Sequence, residues 1–402
     1  HLLNGLLVFL LTKLLLRPVS TEEPHLRANI VAALIAAGWM LLPINLTSVL
    51  YVVQRMESMA NLFVLLGLLG YVTGRRRMLG LSVSSTLPPS RKGRLARDRF
   101  SSTTRGFALC LTSVTVPAAI GILAKETAVM LPLYAFLIEW ALFRFHKPRE
   151  SASLPQESGA EARWPDFRII GLFLLILVAP MAIGLAWLLP STLSPETWAT
   201  RDFTLGTRLL SEARIVVDYI VWTLLPTPDA LSFYHDDFKI SVGLLAPWTT
   251  LADLMVLAAL ISLTCWLRDR KPMAALGIAL FLGAQLLTGT ILPLELVYEH
   301  RNYFASFGLL LAIVPLLAVP RGQTMALPRH VALAGLLLCW ATLTAMTAYA
   351  WGEPLRLAQD LASRAPLSPR AQYELGRTYI IYSHYDPASP FTKLAYAPLE
   401  KS

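Results

Sequence analysis

Long apolar runs separated by short polar segments dominate the chain. The runs lack the alternation of a β-strand and are rich in Leu and Ala, so the pattern predicts helices. Many of them approach the roughly 20 residues that a helix needs to cross a bilayer. We therefore expect an all-α fold, a polytopic transmembrane bundle of about ten helices. The predicted helices cover 2–16, 28–44, 59–73, 106–124, 128–145, 169–190, 249–267, 273–290, 303–320 and 331–350.

The composition also favours a membrane protein. Of the 402 residues, 55% are hydrophobic and 15% are charged, and the mean hydropathy is +0.54. Soluble domains carry about 25% charged residues. The net charge of +9 would suggest nucleic acid as the partner of a soluble protein. Here the basic residues gather in short loops, where they orient helices and contact anionic lipid. We expect membrane lipids, and no nucleic acid, as partners.

Loop charge predicts the orientation of the bundle. Loop 74–105 is strongly basic and contains Asp98 as its one acid, so it is expected in the cytoplasm. Alternation of the helices then fixes the other loops, provided that 213–226 does not cross the membrane. That segment is amphipathic, which is typical of an interfacial helix. The segments expected at the outer end are 45–58, 125–127, 191–248, 291–302 and the tail after 350.

The tail differs from the rest of the chain. Residues 351–402 are polar, so we divide the chain into a transmembrane domain over 1–350 and an outer-face helical segment. The tail resembles the start of a tetratricopeptide repeat. Because one repeat cannot bury its own apolar face, a lone amphipathic hairpin on the membrane surface is the alternative. The matching positions are Leu375, Gly376, Tyr379, Ala388 and Ala395.

One polar cluster directly precedes a predicted helix at the outer end. It consists of Glu299, His300, Arg301, Asn302 and Tyr303. Polar groups at a membrane boundary are costly to desolvate, so such a cluster is a candidate functional site. Arginine offers a fixed fork of donors that suits a phosphate, and histidine can move a proton near neutral pH. A solvated helix cap is the alternative.

Two further clusters lie at the same predicted end. Arg55 and Glu57 precede the helix 59–73, and an interfacial anchor is the alternative for them. Lys125 and Glu126 fill a tight connection between two helices, and an ordinary surface pair is the alternative there. Because the three clusters share one end, we expect the charged groups of Arg55, Lys125 and Arg301 to face a common cavity.

The outer loop contains one candidate cation site. Its residues His235, Asp236 and Asp237 carry imidazole and carboxylate groups, which are ligand types for a divalent cation. A bare triplet of this kind in a loop is more often solvated. We therefore assign no certain cofactor and keep a divalent cation as the candidate ligand of these three residues.

Three segments resemble, in the same order, segments of one membrane protein family. They are 51–63, 123–129 and 299–308. The family is that of GT-C type glycosyltransferases with tetratricopeptide repeats, which includes transmembrane O-mannosyltransferases of the animal endoplasmic reticulum. The wording Gln54-Arg55-Met56 and the cluster from Glu299 to Tyr303 resemble the bacterial branch more closely. The resemblance covers nearly the whole chain.

This resemblance implies a function. It implies an integral glycosyltransferase of the bacterial inner membrane that moves a sugar from a polyprenyl-phosphate donor to a protein or glycan acceptor on the periplasmic side. We expect Arg301 and Lys125 to bind the lipid phosphate, with Arg55 in reserve. The remaining candidates are Glu126, Asn302 and Tyr303 for substrate binding and Glu57, Glu299 and His300 for catalysis.

The resemblance also implies a chain truncated at both ends. In the family the main base is an acid in a loop that would precede residue 1, and His1 and Asn4 resemble the His-x-x-Asn motif after that loop. Three other classes remain open: a polymerase or ligase of lipid-linked glycans, a transporter, and a non-catalytic scaffold that binds a partner through its repeats. A transporter would place charges or broken helices near the midplane, whereas the charges here lie at boundaries.

Overall fold

The computed structural model describes residues 1–16, 25–81, 92–147, 164–320 and 322–402, without the side chains of 25 and 92–101. Within these residues the fold is all-α, as predicted, and contains no strand. The helices are α1 Leu2–Leu16, α2 His25–Leu41, α3 Thr47–Leu50, α4 Arg55–Met78, α5 Lys92–Ile122, α6 Leu131–Ile138, α7 Phe167–Phe173, α8 Ala179–Leu193, α9 Leu205–Leu224, α10 Thr249–Arg270, α11 Pro272–Thr288, α12 Asn302–Leu317, α13 Ala326–Ala350, α14 Pro354–Arg364, α15 Pro369–Tyr382 and α16 Pro390–Lys401.

The predicted apolar runs coincide with helices of this fold. Seven helices of the described residues are long and apolar enough to cross a membrane. An eighth is obtained if Leu26–Leu41 and Pro43–Leu50, which meet at a bend of 58°, form one span. The prediction of one continuous helix over 28–44 is therefore wrong. Leu42 is extended, with ψ at 123°, because the proline that follows disfavours the α-conformation.

Helices α8, α10 and α13 at the periphery of the bundle expose apolar side chains. In the most apolar windows of α10 and α13, only 11% of the residues are buried inside the protein, against 72% for the helix ending at Leu317. Trp187 on α8 and Leu338 on α13 are 81% and 70% exposed. Continuous apolar surface of this extent is unfavourable in water. This exposed apolar surface suits contact with an apolar environment such as lipid.

Glycines bring the central helices into backbone contact. A Cβ on Gly277 of α11 would lie 2.5 Å from the nitrogen of Ala312 on α12, and one on Gly74 of α4 would lie 2.7 Å from the oxygen of Gly106 on α5. Small residues at such crossings let membrane helices pack closely. The close packing fixes the ends of α4, α11 and α12 relative to one another.

The predicted basic loop is shorter than expected. The expectation that 74–105 forms a loop is wrong at both ends, because α4 continues to Met78 and α5 begins at Lys92. Arg75 therefore lies on α4, and its side chain is fully buried. Its Nη2 lies 2.9 Å from Glu139 Oε1, and its Nη1 lies 3.5 Å from Asp166 Oδ2. The two acids compensate the buried charge. The part of the predicted loop over 82–91 lies outside the described residues.

The region 191–248 holds the amphipathic helix α9. This helix is longer than the predicted 213–226, because Thr204 caps it: Thr204 Oγ1 accepts from the nitrogen of Thr207 at 3.3 Å. It is not among the helices apolar enough to cross a membrane. Near its middle, the hydroxyl of Tyr219 accepts from the nitrogen of Tyr298 at 2.8 Å. The helix therefore packs against the segment that leads into α12.

The tail forms a helical hairpin from α15 and α16. A Cβ on Gly376 would lie 2.6 Å from Leu399, and Ala395 is almost fully buried. These two positions of the expected repeat pattern therefore lie in the helix interface. Ala388 does not, because it is exposed in the turn before α16.

The tail docks on the same end of the bundle as α9. Arg370 donates to both carboxylate oxygens of Glu295 at 3.1 and 3.2 Å. The hydrogen bonds from Arg370 lower the pKa of Glu295. Arg364 donates to the carbonyl of Leu231 at 2.9 Å. These contacts bring the tail beside 191–248 and 291–302, the segments that loop charge assigned to the same side.

Candidate functional site

An ion pair between Glu57 and Lys125 joins two of the predicted clusters. Lys125 Nζ lies 3.0 Å from Glu57 Oε2 and donates to Gln54 Oε1 at 3.1 Å. The other oxygen of Glu57 accepts from Asn61 at 2.8 Å and from Thr127 at 3.1 Å. The side chains of Lys125 and Glu57 are only 10% and 4% exposed. Each ion therefore depends on the other for compensation of its charge.

The third cluster places Arg301 in a second buried network. Arg301 donates to the carbonyls of Leu296 at 2.8 Å and Glu295 at 2.6 Å. Its Nη1 also lies 3.9 Å from Glu212 Oε1 on α9, and Glu212 pairs with Arg208 at 2.7 Å. Arg301 is thus held in position by two backbone carbonyls, with the carboxylate of Glu212 within ion-pair distance.

The charge of this second network depends on pH. Burial raises the pKa of Glu212 to about 7, although Arg208 and Arg301 oppose the shift. Burial also lowers the pKa of Arg208 to about 10, and Glu212 opposes that shift. Glu212 therefore gains or loses its charge near neutral pH, and the network becomes more positive when Glu212 binds a proton.

The two networks meet at one narrow cleft, which we call the charged cleft. Glu57 and Arg301 both line it, and the aromatic rings of Tyr134 and Phe304 stack at its wall, 4.1 Å apart. The cleft lies between the beginning of α4, α6, the end of α11 and the beginning of α12. Its lining residues are Glu57, Asn61, Thr127, Met130, Tyr134, Ala284, Leu287, Thr288, Arg301 and Phe304.

Glu57 and Arg301 are the only candidate residues in the lining of the charged cleft. Arg55 is exposed, and its Nε donates to the carbonyl of Val49 at 2.9 Å. Glu126 is exposed as well, one position after Lys125. The structure therefore places Glu57 and Arg301 on one cleft and pairs Lys125 with Glu57. Of the three cations expected to face a common cavity, Arg55, Lys125 and Arg301, only Arg301 is among the lining residues.

The residues around Arg301 in sequence face the interior of the bundle. His300 is buried, and its ring lies 4.9 Å from that of Tyr298. Asn302 is fully buried, and its Oδ1 accepts from Gln285 at 3.1 Å. These contacts fix the turn that presents Arg301.

Tyr303 joins the beginning of the chain to α12. Its hydroxyl accepts from Asn4 at 3.0 Å and lies 2.8 Å from His1 Nδ1, and its ring is fully buried. The His-x-x-Asn motif and the tyrosine of the third cluster are therefore in contact. This arrangement positions α12 and leaves the tyrosine away from the lining of the charged cleft.

The candidate cation site is not formed. His235 Nε2 lies 3.7 Å from Glu299 Oε1, whereas Asp236 accepts a hydrogen bond from Ser368 of the tail. Among the residues that the structure describes, no group of three or more His, Cys, Asp and Glu side chains could hold a metal ion. The loop turns His235 and Asp236 towards different partners, so these residues do not converge as the weak candidate site would require.

Sequence reasoning missed three polar residues of this region. Asn61 follows Glu57 by four residues, and Glu212 follows Arg208 by four, a spacing that places both members of each pair on one helix face. That spacing is a signal that could have found them. Thr127 has no such signal, because it reaches Glu57 from another segment.

Comparison of the chain with protein-family models, curated proteins and solved structures finds no match. The class of protein is therefore defined by its structure alone. It is an all-α protein with seven described helices long and apolar enough to cross a membrane, and it has a charged cleft at the helix ends.

Proposed function

We propose that the protein is a GT-C type membrane glycosyltransferase. It moves a sugar from a polyprenyl-phosphate donor to a hydroxyl of a protein or glycan at the outer face of the bacterial inner membrane. The observation that carries the proposal is that Arg301 and Glu57, the partner of Lys125, line one cleft. The type of reaction is inferred from the resemblance of the segments that contain these residues to the glycosyltransferase family.

Arg301 and Lys125 are the phosphate ligands in this proposal. A lysine ammonium has three donors and an arginine has five, so both retain N–H groups beyond the bonds described above. In the transfer, the acceptor oxygen bonds to the anomeric carbon and the bond from that carbon to the phosphate oxygen breaks. The phosphate leaves with additional negative charge, which fixed cations stabilise.

The surroundings of the charged cleft suit a lipid donor. Leu123 and Val129 flank the turn that contains Lys125, and they are 87% and 47% exposed. Leu286, beside the lining residue Leu287, is 53% exposed. An apolar chain can lie against these side chains while its phosphate reaches the cleft. Burial of apolar surface would then contribute to donor affinity.

Glu57 is the acid in the lining of the charged cleft. The acceptor hydroxyl must lose its proton to a base as the new bond forms. Glu57 holds Lys125 in place and is a candidate for that base. Because Glu57 pairs with Lys125 at 3.0 Å, its substitution is expected to act first through the position of Lys125.

The test is transfer of labelled sugar from polyprenyl phosphate in membranes that contain the full-length protein. Arg301→Ala should reduce the rate about 10²–10³-fold, as loss of one preorganised donor does. Arg301→Lys keeps the charge and loses the planar fork, so it should restore only part of the rate. Arg377→Ala is the matched control, because Arg377 is exposed and pairs within its own helix with Glu374. Unchanged transfer in Arg301→Ala, at equal expression, contradicts the proposal.

A further inference from the structure

Glu212 lies directly behind the charged cleft, beside two arginines. Its Oε1 is 2.7 Å from Arg208 Nη2 and 3.9 Å from Arg301 Nη1, and Arg301 lines the cleft. A Cβ on Gly289 would lie 3.4 Å from Glu212 Oε2, and the preceding residue, Thr288, lines the cleft as well. Glu212 itself is 3% exposed and is not a lining residue. It therefore acts on the cleft through Arg301 and the end of α11.

The carboxylate of Glu212 lies beside two cations and yet lacks a complete set of hydrogen bonds. Within the part of the chain that the structure describes, no donor is aligned with its Oε1. Arg208 and Arg301 donate instead to backbone carbonyls of the segment between α11 and α12. A buried carboxylate without aligned donors is stabilised less well as an ion, so it binds a proton more readily. The rise of the pKa of Glu212 to about 7, caused by burial and opposed by both arginines, agrees with this geometry.

The groups that act electrostatically on this network come from α9 and from the segments beside it. They are Arg208 and Tyr219 on α9, Arg301 in the turn before α12 and Arg201 in the loop before α9. Helix α10 also packs against α9, but its Asp253 interacts with Asp218 and Arg214. Glu212 is therefore the acid of this network, and its protonation changes the charge behind the cleft by one unit.

The donor and the product of the proposed transfer differ in charge by a similar amount. The donor is a phosphodiester and carries one negative charge. The lipid product is a phosphate monoester, which carries about −1.5 to −2 at pH 7 because its second pKa is about 6. An ionised Glu212 repels both anions, and it repels the monoester more, because the coulombic energy is proportional to the charge. A protonated Glu212 repels neither.

We propose that Glu212 determines which lipid phosphate the charged cleft prefers: in its ionised form it disfavours a phosphate monoester relative to a phosphodiester. It acts through Arg301 and is thus a positioning residue rather than a catalytic one. The inference rests on the proposed function, because it takes the lipid phosphate as the ligand of Arg301. Its consequence is that the product phosphate is released more readily above neutral pH, whereas uptake of a proton by Glu212 at lower pH strengthens binding of the donor.

The test measures retention of two radiolabelled lipids, polyprenyl-phosphate hexose and polyprenyl phosphate, by the full-length protein in nanodiscs. The diester does not titrate between pH 6 and 8, so its pH dependence reports the protein. The wild type should bind it about fivefold more tightly at pH 6 than at pH 8, the change expected when a proton with a pKa of about 7 and the phosphate are coupled about tenfold. At pH 8, Glu212→Gln should shift the ratio of the two affinities about tenfold towards the monoester.

The matched control is Asp218→Asn, on the same helix. Burial raises the pKa of Asp218 to about 6, with a further contribution from Asp253, so this carboxylate titrates in a similar range away from Arg301. Its substitution should change neither the pH dependence nor the ratio. Glu212→Asp keeps the charge and should keep the ratio of the wild type. A purely structural role of Glu212 would weaken both lipids together and leave the ratio unchanged.

Three results would overturn the inference. Equal retention of the diester by the wild type at pH 6 and pH 8 does so without any variant, and it is decisive even if Glu212→Gln does not fold. An unchanged ratio in Glu212→Gln at pH 8 does so as well, and so does loss of the pH dependence in Asp218→Asn. If the wild type retains neither lipid, the proposed function itself fails and the inference falls with it, so the two failures are distinguishable.

Discussion

Replacement of Lys125 by methionine is expected to destabilise the protein through Glu57. Methionine keeps most of the length of the lysine stem and removes the charge. The Glu57 carboxylate then loses the cation that lies 3.0 Å away, in a place where Glu57 is 4% exposed. Burial of a charge without a partner is strongly unfavourable, so the cost falls on the folded state.

The expected magnitude follows from the partners that remain. Breaking a buried ion pair by removal of one partner costs about 3–5 kcal/mol. Glu57 still accepts from Asn61 and Thr127, so we expect the lower end, about 3 kcal/mol. The double variant Glu57→Gln/Lys125→Met buries no charge at this place and should cost only about 1 kcal/mol. The two substitutions should therefore couple by about 2 kcal/mol or more.

The assay is reversible unfolding in mixed micelles, followed by the loss of helical circular dichroism. Both single variants, the double variant and the wild type complete a double-mutant cycle. Arg377→Met is the control, because its ion pair with Glu374 is exposed and is worth at most about 1 kcal/mol. The reasoning is refuted if Lys125→Met matches this control, or if the costs of the two single variants simply add.

Three further predictions concern other parts of the molecule. Gly277→Val should destabilise the protein by at least about 1–3 kcal/mol through overpacking, because its Cβ would lie 2.5 Å from α12. A Cβ on Gly335 meets nothing within 4 Å, so Gly335→Ala should be neutral. Unfolding midpoints of the two variants test both expectations. Burial raises the pKa of Glu212 from 4.5 to about 7, so folding takes up a proton between these values and the free energy of unfolding should fall as pH rises through this window. Glu212→Gln should remove that part of the slope in pH-dependent unfolding. Arg364→Ala should release the tail and accelerate its limited proteolysis, because Arg364 contacts the outer loop; Arg377→Ala should not, and equal rates would contradict the docking.

The helical class of the fold follows from the sequence because it depends on local pattern. Apolar runs of near-spanning length predict helices wherever they occur, and the structure has helices over those runs. The bend at Pro43 is also a local effect, and the proline rule could have found it. The grouping of α9 and the tail at one end follows from charge alternation.

The chemistry of the site was only partly predictable. The sequence indicated Glu57, Lys125 and Arg301 as candidates. It did not indicate that Arg301 donates to two backbone carbonyls or that Glu212 lies 3.9 Å from it. The sequence did not indicate the burial of Arg75 either. These contacts join segments far apart in the chain, and they depend on how closely glycines let the helices approach. No single run of residues encodes that distance.

The most direct test of the central claim is donor binding by two matched arginine variants. Arg301 lines the charged cleft, whereas Arg55 is exposed at the same end of the bundle and lies outside the lining. Retention of radiolabelled polyprenyl-phosphate hexose is measured on the purified protein in nanodiscs, with unfolding midpoints recorded for each variant. Arg301→Gln should weaken retention at least about tenfold, because a charge-assisted contact to phosphate is lost, and Arg55→Gln should change it less than about twofold. Equal effects of the two substitutions, or a larger effect of Arg55→Gln, would contradict the assignment of the charged cleft to the donor phosphate.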